Sequence, residues 1–244
     1  MLQTYFRRIK ETINKVEQQE QESMTQAAQK VADKIQAGGI VHLFGCGHSH
    51  ILTEEVFYRA GGLVPISPIF VEPLMLHEGA VRSSQLERQN GYAQAFMDKQ
   101  DIRAGDVMVV ISTSGRNPVP VDVAQHARNK GAYVIGITSI AYSQSQPSRH
   151  ESGKHLYNSV DLVIDNHAVK GDALLTHDKV AIPFGPSSTV VGATILNAIL
   201  ANAIEIMAEN GFEPPIFLSG NIDGSDEHNQ RLIEQYQDRI PLLS

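Results

Sequence analysis

The chain has 244 residues, a formal net charge of −7, 42% hydrophobic and 19% charged residues, and a single cysteine. This length suits one large or two small domains with a full core, and an acidic balance without a lysine- or arginine-rich run argues against a nucleic-acid partner. One cysteine excludes an internal disulfide and fits a reducing, cytoplasmic compartment, while the charged start MLQTYFRRIKETINKVEQQEQ and the lack of an apolar run of about 18 residues argue against a signal peptide or a membrane partner.

In chain order, apolar residues recur at Tyr5, Ile9, Ile13 and Val16, then at Met24, Ala28, Val31 and Ile35. That is the spacing of one helix face, and Gly38 and Gly39 end it. GIVHLFGCG predicts a strand and a glycine turn, and SHILTEEVFYRAGG a helix that stops at Gly61 and Gly62. LVPISPIFV reads as extended, its prolines favouring an edge position. A helix is expected around Ser84 to Asp101. DVMVVIS is a continuously apolar strand. PVPVDVAQHARNK is a helix with prolines at its start and Gly131 after its end. AYVIGITS and DLVID are further strands. The long run from Pro186 to Gly211 is a helix apolar on nearly every side, and the tail carries a short amphipathic helix. Apolar strands each followed by a helix predict a parallel sheet covered on both faces. The expected class is α/β, a three-layer sandwich on a five-stranded parallel sheet. An N-terminal helical extension over 1–30, the sheet domain over 31–211 and a tail over 212–244 are the expected divisions.

Ligands of such sheets sit at the carboxyl ends of the strands, where two loops stand out. GCGHSH, Gly45 to His50, resembles a dinucleotide loop but has His50 where the third glycine belongs. The following strand offers no acid before Glu72, which disfavours NAD and FAD. No Walker A pattern exists. STSGRNP, Ser112 to Pro118, gathers the hydroxyls of Ser112, Thr113 and Ser114 with Asn117 and Arg116 around Gly115. With the free N–H groups expected at the next helix start it would suit a phosphate monoester; the bland reading is a serine-rich helix cap. His48 and His50 are the only closely spaced histidine pair, and neither an HExxH pattern nor a cysteine cluster is present, so neither a metal nor another cofactor is expected. Cys46, between two glycines, reads as a small residue fitting a tight turn.

VVISTSGRNPVPVDVAQHARNKGAYVIGITS and HLFGCGHSH, with NSVDLVIDN and KGDAL further on, resemble the segments of the sugar isomerase (SIS) domain family. The resemblance implies a flavodoxin-like sandwich that binds phosphosugars and assembles into dimers or tetramers. It implies that Ser112, Thr113 and Ser114 grip a phosphate, with Arg116 and Asn117 beside them. Ser49, with Gly47 and His48 ahead of it, would meet phosphate or sugar hydroxyls. Small stand-alone members similar to phosphoheptose isomerase are the nearest type, and the SGRNP loop is also similar to that of muramic-acid phosphate etherases.

Aldose–ketose isomerisation through an enediol, like the etherase reaction, begins with removal of a proton beside a carbonyl, so a carboxylate or histidine must face the sugar. Glu55, one and a half turns after the first loop, is the first candidate. Glu87, in the long connection before the phosphate-loop strand, and His177, ahead of the long helix, are the others. The expected function is a phosphosugar-binding protein, an isomerase first, with an etherase-like lyase or a non-catalytic phosphosugar sensor as alternatives.

Overall fold

The computed structural model describes residues 1–244. Two N-terminal helices, α1 (Leu2–Gln19) and α2 (Gln21–Gln36), are separated by Glu20 alone. The continuously apolar runs become β1 (Val41–Gly45), β3 (Val107–Ile111), β4 (Tyr133–Thr138) and β5 (Leu162–Asp165), and the proline-bearing run yields the short edge strand β2 (Ile66–Pro68). All five pair in parallel, in the order β2-β1-β3-β4-β5. That order is flavodoxin-like and reverses between β1 and β3, the place where such sheets bind ligands. The two glycine loops leave those two neighbouring strands.

Alternate strand residues feed opposite layers, as the period of two requires. Val41, Leu43, Val109 and Ile111 join Val31 and Ile35 of α2 and Leu196 and Ile199 of α8 (Ser188–Glu209). Phe44, Met108 and Val110 join Val119, Val123 and Ala127 of α6 (Pro118–Asn129). Helix α2 also buries Ala27, Ala28 and Ala32, so position 30 lies within a helix integral to the sandwich. By length and composition α8 could cross a membrane; here Val191, Ile195, Leu196, Ile199, Ala203 and Met207 are buried in the protein core. Its N-terminus is capped from a distance: Asp172 accepts from Ser187 N, Ser187 Oγ, Ser188 N and Ser188 Oγ at 2.6–3.0 Å.

Three elements differ from the sequence expectation. The helix after the first loop is only α3 (Ile51–Glu55). The single helix expected around 84–101 is two pieces, α4 (Ala80–Leu86) and α5 (Gln94–Met97). Between them Gly91 takes φ +74° and gives its N–H to Asp122 of α6 at 3.0 Å, so a tertiary bond replaces the helical one. The stretch ahead of α8 forms an antiparallel hairpin, β6 (Leu175–His177) and β7 (Val180–Phe184). A short helix, α7 (Ile140–Gln144), follows β4, and α9 (Ser225–Tyr236) closes the chain. Leu232, Tyr236, Ile240 and Leu243 of that tail pack on Ile40 and Val64.

Candidate functional site

The loop after β3 turns at Gly115, whose φ is +58° and whose N–H bonds the Ser112 carbonyl at 3.1 Å. Four consecutive carbonyls are then taken by the chain beyond β4. Ser139 N bonds Thr113 O at 3.0 Å, Leu156 N bonds Gly115 O at 2.8 Å, Arg149 N bonds Arg116 O at 2.8 Å, and Ser143 Oγ bonds Ser114 O at 2.8 Å. With the carbonyls tied back, the N–H groups of Thr113, Ser114, Arg116 and Asn117 bond no protein acceptor. The hydroxyls of Ser112 and Ser114 are likewise without a protein partner, while Thr113 Oγ1 accepts from Asn166 Nδ2 at 3.4 Å. A run of free amides beside free hydroxyls is a nest for an anion.

The helix behind the loop contributes less than its position suggests. Pro118 and Pro120 have no N–H, and Val119 gives its own to the Glu87 carbonyl at 3.3 Å. The expectation that α6 would aim free N–H groups at the ligand is therefore corrected: the amides that remain free belong to the loop. Arg116 also turns aside, donating from Nε to the Pro147 carbonyl at 3.0 Å.

In the first loop, a Cβ on Gly45 would stand 2.6 Å from the Ser49 carbonyl carbon, so only glycine admits the tight turn Gly47–His50. His48 is exposed, and neither its ring nor the Ser49 hydroxyl bonds a protein group. His50 is occupied: Nδ1 faces the Gly47 carbonyl and Nε2 lies 3.9 Å from Glu54. Burial, then the charge of Glu87, pushes the buried Cys46 thiol well up, which holds it protonated. No three His, Cys, Asp or Glu side chains converge as a metal-ligand set.

The acid/base candidates fall in three different places. Glu87 is half-buried and stands between the two loops, near enough to Cys46 to act on its thiol and against the Asn117 side chain. Burial raises its pKa, opposed by the Asn117 amide and by the charges of Arg88 and Arg149. Glu55 is held by Arg59 Nη1 at 2.7 Å and by Asn197 of α8 at 3.3 Å. His177 is exposed at the turn of the β6–β7 hairpin, where Nδ1 accepts from Lys179 N at 3.1 Å. Of the three, Glu87 is the one seen against residues of both loops, Cys46 and Asn117. A hollow of about 440 Å³ lies elsewhere, lined by Ile13, Val16, Met24, Val191, Ile195 and other residues of α1, α2 and α8.

The model of the SIS domain family matches residues 4–139. The chain belongs to the SIS domain family. It is 70% identical over 244 residues to a UPF0309 protein of Halalkalibacterium halodurans, covering 100% of this chain and 98% of that one. A UPF0309 protein of Geobacillus thermodenitrificans is 65% identical over 243 residues, covering 100% and 98%. Among solved structures, the phosphoheptose isomerase of Neisseria gonorrhoeae superposes with a TM-score of 0.53 at 15% identity, over 85% of this chain and 97% of that one. The phosphoheptose isomerase of Francisella tularensis gives 0.52 at 16%, over 84% and 96%. At that identity the superpositions establish a shared SIS fold.

Within this SIS domain, sequence reading missed two groups. Arg149 donates from Nη1 to Asn117 Oδ1 at 2.8 Å, and its neighbour His150 pins the segment to α6 through Asp122 at 2.8 Å. At the carboxyl end of β5, His167 sits with φ +52°, its Nε2 3.1 Å from Glu20 and its Nδ1 3.5 Å from Asp165. Asn166 beside it reaches Thr113, which ties the α1–α2 break to the rim of the Ser112–Asn117 loop. The positive φ was invisible in sequence, and nothing local links Asn117 to Arg149, 32 positions on.

Proposed function

We propose that this chain binds a phosphorylated sugar, with the phosphate on the Ser112–Asn117 loop, and that it isomerises aldose and ketose forms. The observation that carries the reading is the row of free amides at Thr113, Ser114, Arg116 and Asn117, backed by tied carbonyls and flanked by a half-buried carboxyl, Glu87. Gly47, His48 and Ser49 of the first loop would meet the sugar hydroxyls. A carboxyl raised by burial is suited to exchange a proton near neutral pH. Glu87 would take the proton from the carbon beside the carbonyl, leaving an enediolate, and return it to the former carbonyl carbon, while the hydroxyl proton passes from the neighbouring oxygen to the former carbonyl oxygen. His177 would act from the hairpin of a second subunit, in a dimer or tetramer; Val180 and Ile182 on the same hairpin are 47% and 74% exposed. Glu55, bound to Arg59 and Asn197, would support the first loop from behind.

A thermal-shift screen against sugar phosphates tests binding, because a native-state ligand must raise the melting temperature. Stabilising compounds are then incubated in deuterated water. Deuterium entering beside the carbonyl supports the isomerase, loss of an ether substituent the etherase-like lyase, and binding without exchange the sensor. If no phosphosugar stabilises the protein, or if Ser112→Ala with Ser114→Ala leaves the stabilisation intact, the phosphate-loop reading is wrong.

A further inference from the structure

Six of the eleven arginines lie within 4 Å of a carboxylate: Arg7, Arg8, Arg59, Arg103, Arg128 and Arg239. Three of the remaining five, Arg88, Arg116 and Arg149, meet at one place. Arg149 is hydrogen-bonded to the Asn117 side chain, and its N–H to the Arg116 carbonyl. Arg116 precedes Asn117 and bonds only neutral acceptors, the Pro147 carbonyl and Gln146 Oε1. Arg88 follows Glu87, whose carbonyl receives Val119 N, and its guanidinium bonds nothing in the protein.

Burial, then the charges of Arg116 and Arg88, pull the Arg149 pKa below its ordinary value, so the three cations feel one another. The one carboxylate that offsets them is Glu87, itself pushed toward its neutral form by burial. In a chain of net charge −7 carboxylates are plentiful, yet none lies within 4 Å of these three guanidiniums. Solvated surface arginines would be spread apart or paired. Here they are gathered beside the loop of free amides to which the phosphate is assigned above, and two of them are fixed by hydrogen bonds to neutral groups, which leaves their charge unspent. Arginine presents planar N–H pairs that match carboxylate and phosphate oxygens.

We propose that the ligand carries two anionic groups: a phosphate on the Ser112–Asn117 loop and a second anion, a carboxylate or another phosphate, received by Arg88, Arg116 and Arg149. The ligand class is thereby narrowed to sugar phosphates whose carbon chain bears a further negative charge. This rests on the phosphate reading of the loop and adds to it the character of the opposite end.

Calorimetric titration with two matched pairs of probes tests it: glycerol 3-phosphate against 3-phosphoglycerate, and glucitol 6-phosphate against 6-phosphogluconate. Each pair differs in one carboxylate, at two separations from the phosphate. The expected result is at least about tenfold tighter binding of the carboxylate member in one pair, the effect of one desolvated charge-assisted contact. In Arg88→Met/Arg149→Met that preference falls below about threefold, and Arg149→Lys keeps part of it because the charge remains. Unchanged circular dichroism of these exposed-site variants confirms folding. Equal affinities within both pairs, or a variant that weakens both members by one factor, overturns the second-anion site. Ser112→Ala/Ser114→Ala reads the other half: it should weaken all four probes, and if it weakens none while the arginine variant does, the phosphate loop is the failed assignment. Binding by none of the four overturns both.

Discussion

A Cβ placed on Gly115 would stand 2.6 Å from Thr138 Oγ1 and 2.7 Å from Ser143 Oγ. These are the hydroxyls that hold the loop: Ser143 Oγ donates to the Ser114 carbonyl and meets Thr138 Oγ1 at 3.3 Å. The turn therefore requires glycine twice, for its φ and for its lack of a side chain. Gly115→Ala should push the loop off this support, lowering sugar-phosphate affinity at least about tenfold and stability by about 1–3 kcal/mol. Gly153→Ala is the comparison, since Gly153 has φ +73° with no atom within 4 Å of the added carbon. It carries only the backbone cost, roughly 1–2 kcal/mol. Calorimetric affinities and chemical denaturation of the two variants separate crowding from strain; equal phosphate affinity in both would show that the hydroxyl contact does not shape the loop.

Glu87 joins a functional prediction to a thermodynamic one. Glu87→Gln should reduce solvent deuterium exchange into a bound sugar phosphate by about 10²–10⁴-fold, the usual worth of a positioned acid/base. Its raised pKa also fixes a sign for stability. The folded state prefers the protonated carboxyl, so its contribution is full below the ordinary glutamate pKa and declines as pH rises through the higher folded value. Glutamine does not titrate, so the variant should lose that decline. Melting temperatures from acidic to neutral pH should fall relatively less in Glu87→Gln than in the native protein. A parallel pair of curves would mean that Glu87 titrates as it does in the unfolded chain.

The sheet was legible because β1, β3 and β4 are buried on both faces and β5 over its second half, and a parallel sheet writes that burial as unbroken apolar runs. The Ser112–Asn117 turn after β3 was legible because its residues are contiguous. The prolines of PVPVD were equally visible, yet free amides were expected at the start of α6, and Pro118 and Pro120 have none to offer. What was not legible depends on bonds between distant residues. Gly91 breaks the expected helix because Asp122 takes its N–H, and the β6–β7 hairpin lies so exposed that no alternation marks it. Glu87, Asn117 and Arg149 come together from three connections, none of which carries a pattern for the other two.

Asp106 illustrates a buried charge that serves the fold. It lies just before β3, at the opposite end of the strand from the Ser112–Asn117 loop. Burial would raise its pKa, but hydrogen bonds from His42, Arg239 and the N–H groups of Ile40 and Arg103 outweigh burial and hold the carboxyl far below the usual range. Arg239 alone gives Nη2 to Oδ2 at 2.8 Å, fastening the C-terminal tail to the sheet. With the folded pKa depressed, this stabilisation is present above the unfolded aspartate value of about 3.9 and is lost as pH falls below it. Asp106→Asn should cost about 2–4 kcal/mol at neutral pH, the consequence of stranding a partner of a buried pair. It should also flatten the acid limb of the stability curve. Urea denaturation between neutral pH and pH 3, near the unfolded pKa, checks both.

The hairpin offers a test of where a site is completed. An isolated two-stranded ribbon is marginal in water, and Ile182 at 74% exposure gives it an apolar side to cover. Light scattering should find the native protein dimeric or larger, and Ile182→Asp should shift it toward the monomer. If His177 acts across that contact, Glu87→Gln and His177→Ala are each inactive alone. Refolding the two together yields symmetric and mixed pairs, and in a mixed dimer one of the two sites then holds both native side chains. Recovery of about a quarter of native exchange activity is expected for a two-fold interface. If both residues served the same subunit's site, every site in the mixture would lack one of them and nothing would be recovered. A monomeric native protein would instead remove His177 from the reaction, leaving Glu87 and the first-loop residues as the candidates to move the proton.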